Sequence, residues 1–144
     1  MGTHGVLRAA GVKLIGGLLT EPSVAAPVYA VELHAHSSYS HDGRDPVREL
    51  LAAAERVGLD AIAVTDHDTI DGGLEAAALA EEYGLLGIPG IEVTSSAGHV
   101  IGLGVRRSID SGLSFEATVA AIRDAGGIVI VPHPFQESRH GVYG

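Results

Sequence analysis

The chain contains no cysteine and no tryptophan, and its nine basic residues are outnumbered by 18 acidic ones. Without cysteine, neither disulfides nor thiolate metal sites can form, so any bound metal must rest on histidine and carboxylate side chains. The formal net charge of −9 repels a nucleic-acid backbone and argues against an extended nucleic-acid surface. No apolar run reaches the roughly 18 residues of a membrane span, so we expect no membrane association. The 144 residues, 46% of them hydrophobic, suit one domain with a real core.

Residues 1–27 differ in pattern from the remainder. Arg8 and Lys13 precede a short apolar stretch, residues 14–19, which two glycines interrupt. A secretory signal usually has an uninterrupted apolar core of about 7–15 residues, so this stretch matches one poorly. We interpret residues 1–27 as an N-terminal extension, either a loosely attached helix or a segment outside the fold, and expect a cytoplasmic protein. The domain proper is predicted over residues 28–144.

Three segments with helical spacing of apolar residues carry start and stop signals. Asp45 as N-cap and Pro46 as first helical residue open the first helix, and Gly58 ends it. Asp71 and Ser114 are the expected N-caps of the other two. The predicted helices span residues 46–57, 72–83 and 115–125.

Short β-like runs alternate with these helices. The third run contains Pro89, which we expect to break it, and the fourth follows closely enough to form a hairpin with it. Alternation of strands and helices favours parallel pairing in an α/β layer or barrel. The predicted strands span residues 28–33, 61–64, 85–91, 99–103 and 128–131.

Polar side chains capable of binding metal follow several predicted strands. In parallel α/β folds the carboxyl ends of the strands converge on one face, where sites are built. Histidine has no particular preference for strand ends, and packing does not explain several such residues together. The pattern therefore predicts a metal site formed by His34 and His36 after the first strand, His67 after the second, Glu92 after the third and His133 after the last.

Four motifs in this order resemble those of the PHP family, which is named after polymerase and histidinol phosphatase. They are His34-Ala35-His36 with Ser40 and Asp42, Thr65-Asp66-His67-Asp68-Thr69, Pro89-Gly90-Ile91-Glu92, and Val131-Pro132-His133-Pro134. The resemblance covers residues 28–144. It implies an α/β fold, a distorted (β/α)7 TIM-like barrel, and a cluster of two or three Mn, Fe or Zn ions that hydrolyses phosphoesters.

The resemblance also implies a role for each matching residue. The expected catalytic residues are Glu92, His67 and Asp42. The expected first metal site is His34 and His36 with Glu92, which bridges to a second site completed by His99 and His133, and Asp42 and His67 belong to a third.

Several assignments have alternatives. His41 could replace Asp42 as a ligand, although Asp42 is preferred. Asp66 and Asp68 fit supporting groups or turn residues better than ligands. Arg139 could bind substrate phosphate bidentately or be an ordinary surface arginine. His4 and His140 carry no spacing argument and are interpreted as solvated.

The Asp-x-His motif that ends the family pattern does not follow His133, and only about five of seven strands are present. We therefore expect a barrel that lacks its C-terminal part, through truncation or because a second subunit completes it. The predicted function is a metal-dependent phosphoesterase that hydrolyses a phosphomonoester or nucleotide phosphate with metal-activated water. The alternatives are a 5′-to-3′ exonuclease acting on short oligonucleotides and a non-catalytic metal-binding domain.

Overall fold

The computed structural model describes residues 27–142, in which five strands and three α-helices alternate. The predicted N-terminal extension therefore lies outside the described residues except for Pro27. Two short 3-10 turns, Ala80–Tyr83 and Glu137–Arg139, complete the regular structure. The elements are β1 (Val31–Ala35), α1 (Val47–Arg56), β2 (Ala61–Val64), α2 (Asp71–Leu79), β3 (Leu86–Ser95), β4 (Gly98–Leu103), α3 (Phe115–Asp124) and β5 (Ile128–Ile130).

The five strands form one curled sheet in the order β1-β2-β3-β4-β5, a half-barrel consistent with part of a PHP-type barrel. β1, β2 and β3 pair in parallel, whereas β4 is antiparallel to both β3 and β5. The hairpin prediction is confirmed. β1, β2, β3 and β5 therefore run in one direction, and the beginning of β4 lies at the edge where those strands end.

The third strand is longer than predicted and is not broken at Pro89. β3 pairs with β2 up to Pro89 and with β4 from Gly90 onward. A proline, which has no N–H to donate, is accommodated at this change of partner. As a result Glu92 lies inside a strand rather than after its end.

Two of the three predicted N-caps are wrong. Pro46, with extended backbone, is the N-cap of α1, and the carbonyl of Asp45 instead accepts the N–H of Ser38 at 2.8 Å. Asp71 is the first residue of α2 rather than its cap. Ser114 is confirmed, since its side chain accepts the N–H of Ala117 at 3.2 Å.

Apolar clusters lie on both faces of the sheet. On the outer face α1 and α2 cover β2, and α3 packs over β3 and β4. On the inner face Ala63, Ile101 and Leu103 form a smaller cluster against half-buried side chains of the neighbouring strands. Because side chains alternate along a strand, Glu92 and His99 point to the same face as this inner cluster. No helix in residues 27–142 is long and apolar enough to cross a bilayer.

We predict that Leu51→Ala destabilises the fold by about 3 kcal/mol, because it opens a cavity between α1 and the sheet. Leu51 is completely buried. The measurement is the free energy of unfolding in urea. The matched control is Val57→Ala at the end of α1, where the side chain is 70% exposed and the expected change is below about 0.5 kcal/mol. Equal effects of the two substitutions would contradict this account of the core.

Candidate metal centre

The carboxylate of Glu92 lies at the middle of a ring of histidines and is fully buried. One oxygen, Oε2, is 2.9 Å from His34 Nε2 and 2.8 Å from His36 Nε2. The other, Oε1, is 3.1 Å from His99 Nδ1 and 3.2 Å from His133 Nε2. Each carboxylate oxygen therefore faces a separate pair of imidazole nitrogens.

The β3–β4 hairpin brings His99 to this carboxylate. Thr94 pairs with His99 and Glu92 pairs with Ile101, so Glu92 and His99 are diagonal neighbours on the inner face. His99 begins its strand, whereas His34, His67 and His133 lie at or beyond the ends of theirs. The antiparallel direction of β4 places all of them at one edge of the half-barrel.

The loop after β1 is held by a buried carboxylate, Asp66. Asp66 Oδ1 accepts the N–H of Ser37 at 2.6 Å, and Oδ2 accepts the Ser37 hydroxyl at 2.7 Å. Ser40, also buried, accepts the N–H of His67 at 3.0 Å. These contacts join the peptide that follows His36 to the segment that follows β2, and so fix two groups of candidate ligands relative to each other.

A second clamp aligns His67 with Glu92. The two residues form an isolated parallel bridge beyond the end of β2. Asp68, with a left-handed backbone (φ 55°), extends the bridge, since its carboxylate accepts the Thr94 N–H at 2.7 Å and the Thr94 hydroxyl at 2.8 Å. Both Asp66 and Asp68 thus support the segment that carries His67.

Asp42 lies between two candidate ligands. Its carboxylate is 2.8 Å from His36 Nδ1 and 3.5 Å from His67 Nε2. The ring of His41 stacks on that of His67 with centroids 5.0 Å apart. Both residues therefore face the site, and Asp42 has the direct polar contacts.

A cavity of about 380 Å³ opens over this arrangement. Its lining includes all seven side chains predicted as metal ligands and the predicted phosphate-binding residue Arg139. The residues that line it are His34, His36, His41, Asp42, His67, Glu92, His99, His133, Ser138, Arg139 and His140.

His140, interpreted from the sequence as solvated, is exposed and also borders the site. Although exposed, His140 forms part of the cavity wall, and its ring centroid lies 5.3 Å from that of His99. Its carbonyl accepts the N–H of His99 at 2.9 Å. The spacing of residues in the sequence does not predict this contact, because the contact forms only when the chain folds back after β5.

Contacts within the site shift the pKa values of Glu92, His36 and Asp42 toward their charged forms. Burial acts to raise the pKa of Glu92, but hydrogen bonds from His34 and His36 outweigh it and hold this pKa well below its usual range. Burial acts to lower the pKa of His36, yet its contacts with Glu92 and Asp42 raise that pKa to about 9. Burial also acts to raise the pKa of Asp42, but the hydrogen bond from His36 lowers this pKa to about 2. The carboxylates are therefore ionised at neutral pH.

His67 and His99 behave differently from His36. Burial, the largest cause, lowers the pKa of both rings. A neutral imidazole has a lone pair on one ring nitrogen, which is the form that binds a metal ion. The centre thus combines anionic oxygen with neutral nitrogen donors.

These donors fit divalent cations. Within residues 27–142, the Nδ1 atoms of His67, His99 and His133 are buried without a hydrogen-bond partner. His99 Nδ1 is close to the Glu92 carboxylate but not aligned for a hydrogen bond, and the Nε2 atoms of His34 and His36 approach to 3.1 Å. A cation beside the Glu92 carboxylate would satisfy the Nδ1 atoms of His67 and His99, whereas His133 faces this carboxylate with its Nε2 atom. The donor atoms of three groups each lie within 4.8 Å of one another: His34, His36 and Glu92; His36, Asp42 and His67; and His67, Glu92 and His99.

The family model described as the PHP domain matches residues 32–126. The chain belongs to the PHP domain family. An uncharacterised protein of Methanocaldococcus jannaschii is 36% identical to it over 114 residues, which cover 72% of this chain and 67% of that protein. The phosphoribosyl 1,2-cyclic phosphate 1,2-diphosphodiesterase of Eggerthella lenta is 38% identical over 80 residues, 51% of this chain and 30% of that enzyme.

The fold also matches a solved PHP-like structure. A two-domain protein from Bacteroides vulgatus, described as containing a predicted PHP-like metal-dependent phosphoesterase, superposes with a TM-score of 0.65 at 24% identity. The match covers 77% of this chain and 36% of the B. vulgatus chain. PHP membership and the relative named as a phosphodiesterase support the general class of metal-dependent phosphoesterase.

We predict that Asp66→Ala destabilises the protein by about 3 kcal/mol, because the Ser37 N–H and hydroxyl lose their buried acceptor. Asp66→Asn keeps one acceptor oxygen and should recover part of the loss. Urea unfolding measures the stability, and calorimetric titration with Zn²⁺ measures metal affinity, which should fall in Asp66→Ala and partly return in Asp66→Asn. The control is Asp110→Ala, an exposed position that should change stability by less than about 0.5 kcal/mol. Unchanged zinc affinity in a folded Asp66→Ala protein would contradict the positioning role.

Proposed function

We propose that this PHP domain hydrolyses a phosphomonoester or a nucleotide phosphate, using water activated by bound divalent metal. The observation that carries the proposal is the carboxylate of Glu92, whose two oxygens each face a different pair of imidazole nitrogens. A carboxylate so placed can bridge two cations, and imidazoles can complete the coordination of each.

The proposed ligand sets follow this division. His34, His36 and Glu92 would hold one ion, and Glu92, His99 and His133 a second. Asp42 and His67 would hold a third, with His41 as the alternative to Asp42. Manganese, iron and zinc all suit nitrogen and oxygen donors of this kind. Bound divalent ions would supply hydroxide near neutral pH and stabilise the charge of the attacking and leaving oxygens.

The protein's own residues would orient the substrate and the ligands. Arg139, at the wall of the cavity, can donate two parallel hydrogen bonds to phosphate oxygens. Asp42 stays ionised and directs the rings of His36 and His67 toward the cavity. The remaining surface is acidic on balance, so binding of the anionic substrate is concentrated at this site.

The size of the cavity favours a small phosphorylated substrate. About 380 Å³ accommodates a metabolite rather than a folded macromolecule. A short oligonucleotide end could enter the same open cavity, so an exonuclease is an outcome of the assay below and not a separate proposal.

We predict that the purified chain with added Mn²⁺ hydrolyses p-nitrophenyl phosphate and that Glu92→Gln lowers kcat/KM by at least about 100-fold. The amide has one carbonyl oxygen and no charge, so it cannot bridge two cations in the same way. Absorbance of the released nitrophenolate measures the rate. The matched control is Glu55→Gln on α1, an exposed glutamate outside the site, which should leave the rate unchanged.

Three results of this assay separate the alternatives. A folded chain without bound metal and without turnover in Mn²⁺, Fe²⁺ or Zn²⁺ would overturn the proposal. Metal binding without turnover would identify a non-catalytic metal-binding domain. Faster cleavage of short oligonucleotides than of mononucleotides would identify an exonuclease.

We further predict that Zn²⁺ binding at pH 7.5 releases about one proton from His36, because its pKa of about 9 keeps the metal-free ring protonated. Because the folded protein raises the pKa of His36 from 6.5 to about 9, the protonated ring stabilises the metal-free fold. This stabilisation is complete below pH 6.5 and is lost as the pH rises through 9. Calorimetry in buffers of different ionisation enthalpy counts the protons.

Two comparisons test this proton count. Zinc affinity should rise between pH 6.5 and 9 as the competing proton leaves. Asp42→Asn, which removes one partner of the imidazolium, should reduce the number of protons released at pH 7.5. A proton count that is the same in both proteins and independent of pH would show that His36 is not the titrating group.

A further inference from the structure

A second cavity of about 310 Å³ adjoins the proposed metal centre. Residues 94–98, at the tip of the β3–β4 hairpin, form one wall, and Glu137, His140 and Gly141 form the other. His140 lines both cavities, so a molecule whose phosphate occupies the metal centre could extend past this ring into the second cavity.

The two walls of the second cavity are tied together by backbone contacts. The N–H of His99 donates to the carbonyl of His140 at 2.9 Å. Gly98, with φ +128°, lies so close to this carbonyl that a Cβ at position 98 would be only 2.6 Å from its oxygen. The turn itself is closed by the Ser95 hydroxyl, which accepts the N–H of Ala97 at 3.2 Å. These contacts fix the hairpin tip and the segment after β5 relative to each other.

The polar groups of these walls indicate what they can bind. The Glu137 carboxylate and the Ser96 hydroxyl belong to exposed residues of these walls, where a bound molecule can reach them. The cavity is lined by no arginine or lysine, so a second phosphate group would meet a carboxylate without a compensating cation. It also lacks Phe, Tyr and Trp, so the small ring of His140 is the one aromatic surface among its lining residues on which a nucleobase could stack.

We propose that this second cavity binds the hydroxylated organic part of the substrate, so that the preferred substrate is a sugar monophosphate. The inference rests on the proposed phosphoesterase function and specifies its substrate class. Glu137 accepts hydrogen bonds from neighbouring hydroxyls of the sugar, and the Ser96 hydroxyl can both donate and accept. A carboxylate acceptor gives these hydrogen bonds roughly twice the strength of neutral ones.

The test compares ligands that cannot be hydrolysed. The probes are the methylene phosphonate analogue of ribose 5-phosphate and methylphosphonate, which has the same anionic group without the sugar. Calorimetric titration of the zinc-loaded chain should show at least about ten-fold tighter binding of the sugar phosphonate. Glu137→Leu should remove most of this ten-fold advantage, whereas Glu137→Gln, which retains an acceptor oxygen, should keep part of it. The matched control is Glu55→Leu on α1, which should keep all of it.

A third probe separates recognition of hydroxyls from recognition of a positive charge. If Glu137 instead pairs with an ammonium group, 2-aminoethylphosphonate should bind more tightly than the sugar phosphonate, and Glu137→Gln should lose as much affinity as Glu137→Leu. That outcome would overturn the proposal. Equal binding of the sugar phosphonate and methylphosphonate by the unmodified chain would also overturn it.

The phosphonates distinguish this inference from the proposed function. Loss of the sugar advantage in Glu137→Leu, in a chain that hydrolyses no phosphoester, would support the second cavity and refute catalysis. Hydrolysis of p-nitrophenyl phosphate together with no sugar advantage would support catalysis and refute the second cavity.

Discussion

The carboxylate of Glu92 carries its charge at a completely buried position at the base of the cavity. An ionised group in such a place is retained only where other polar groups replace its hydration, since transfer of a bare charge to the interior costs many kcal/mol. Imidazoles from β1, β4 and the segments after β2 and β5 meet this requirement, with contacts of 2.8 to 3.7 Å. These contacts hold the strand ends around one carboxylate. The proposed metal centre and the arrangement of these strand ends therefore share one buried charge.

Most of the centre was predictable because of one simple rule. The carboxyl ends of parallel strands share an edge, so His34, His67 and His133 could be grouped from their positions after apolar runs. The rule does not cover His99, which begins a strand and reaches the edge only because β4 is antiparallel. Glu92 faces the same edge, although its predicted location after a strand is wrong, because the strand continues past Pro89 by exchanging its partner.

The hydrogen bonds that hold the candidate ligands in place are much harder to predict from the sequence. The loop after β1 depends on hydrogen bonds between Ser37 and Asp66, which lie 29 residues apart, and serine is too common for its position to signal a buried role. The contribution of His140 to the cavity requires the chain to turn back after β5, where three residues, His133, Phe135 and His140, have positive φ. Such long-range side-chain contacts follow from the assembled tertiary structure, whereas periodicity and capping signals report only on local structure.

One glycine connects the metal centre to the packing of α2. A Cβ at position 72 would occupy the space of Asp66 Oδ2 and lie 2.8 Å from the Ser37 hydroxyl. The first turn of α2 can therefore approach the sheet this closely only while position 72 has no side chain. Among descendants of this sequence, positions 37, 66 and 72 should therefore change together or not at all. Ser37 follows the proposed ligand His36 and Asp66 precedes the proposed ligand His67, whereas Gly72 lies on α2.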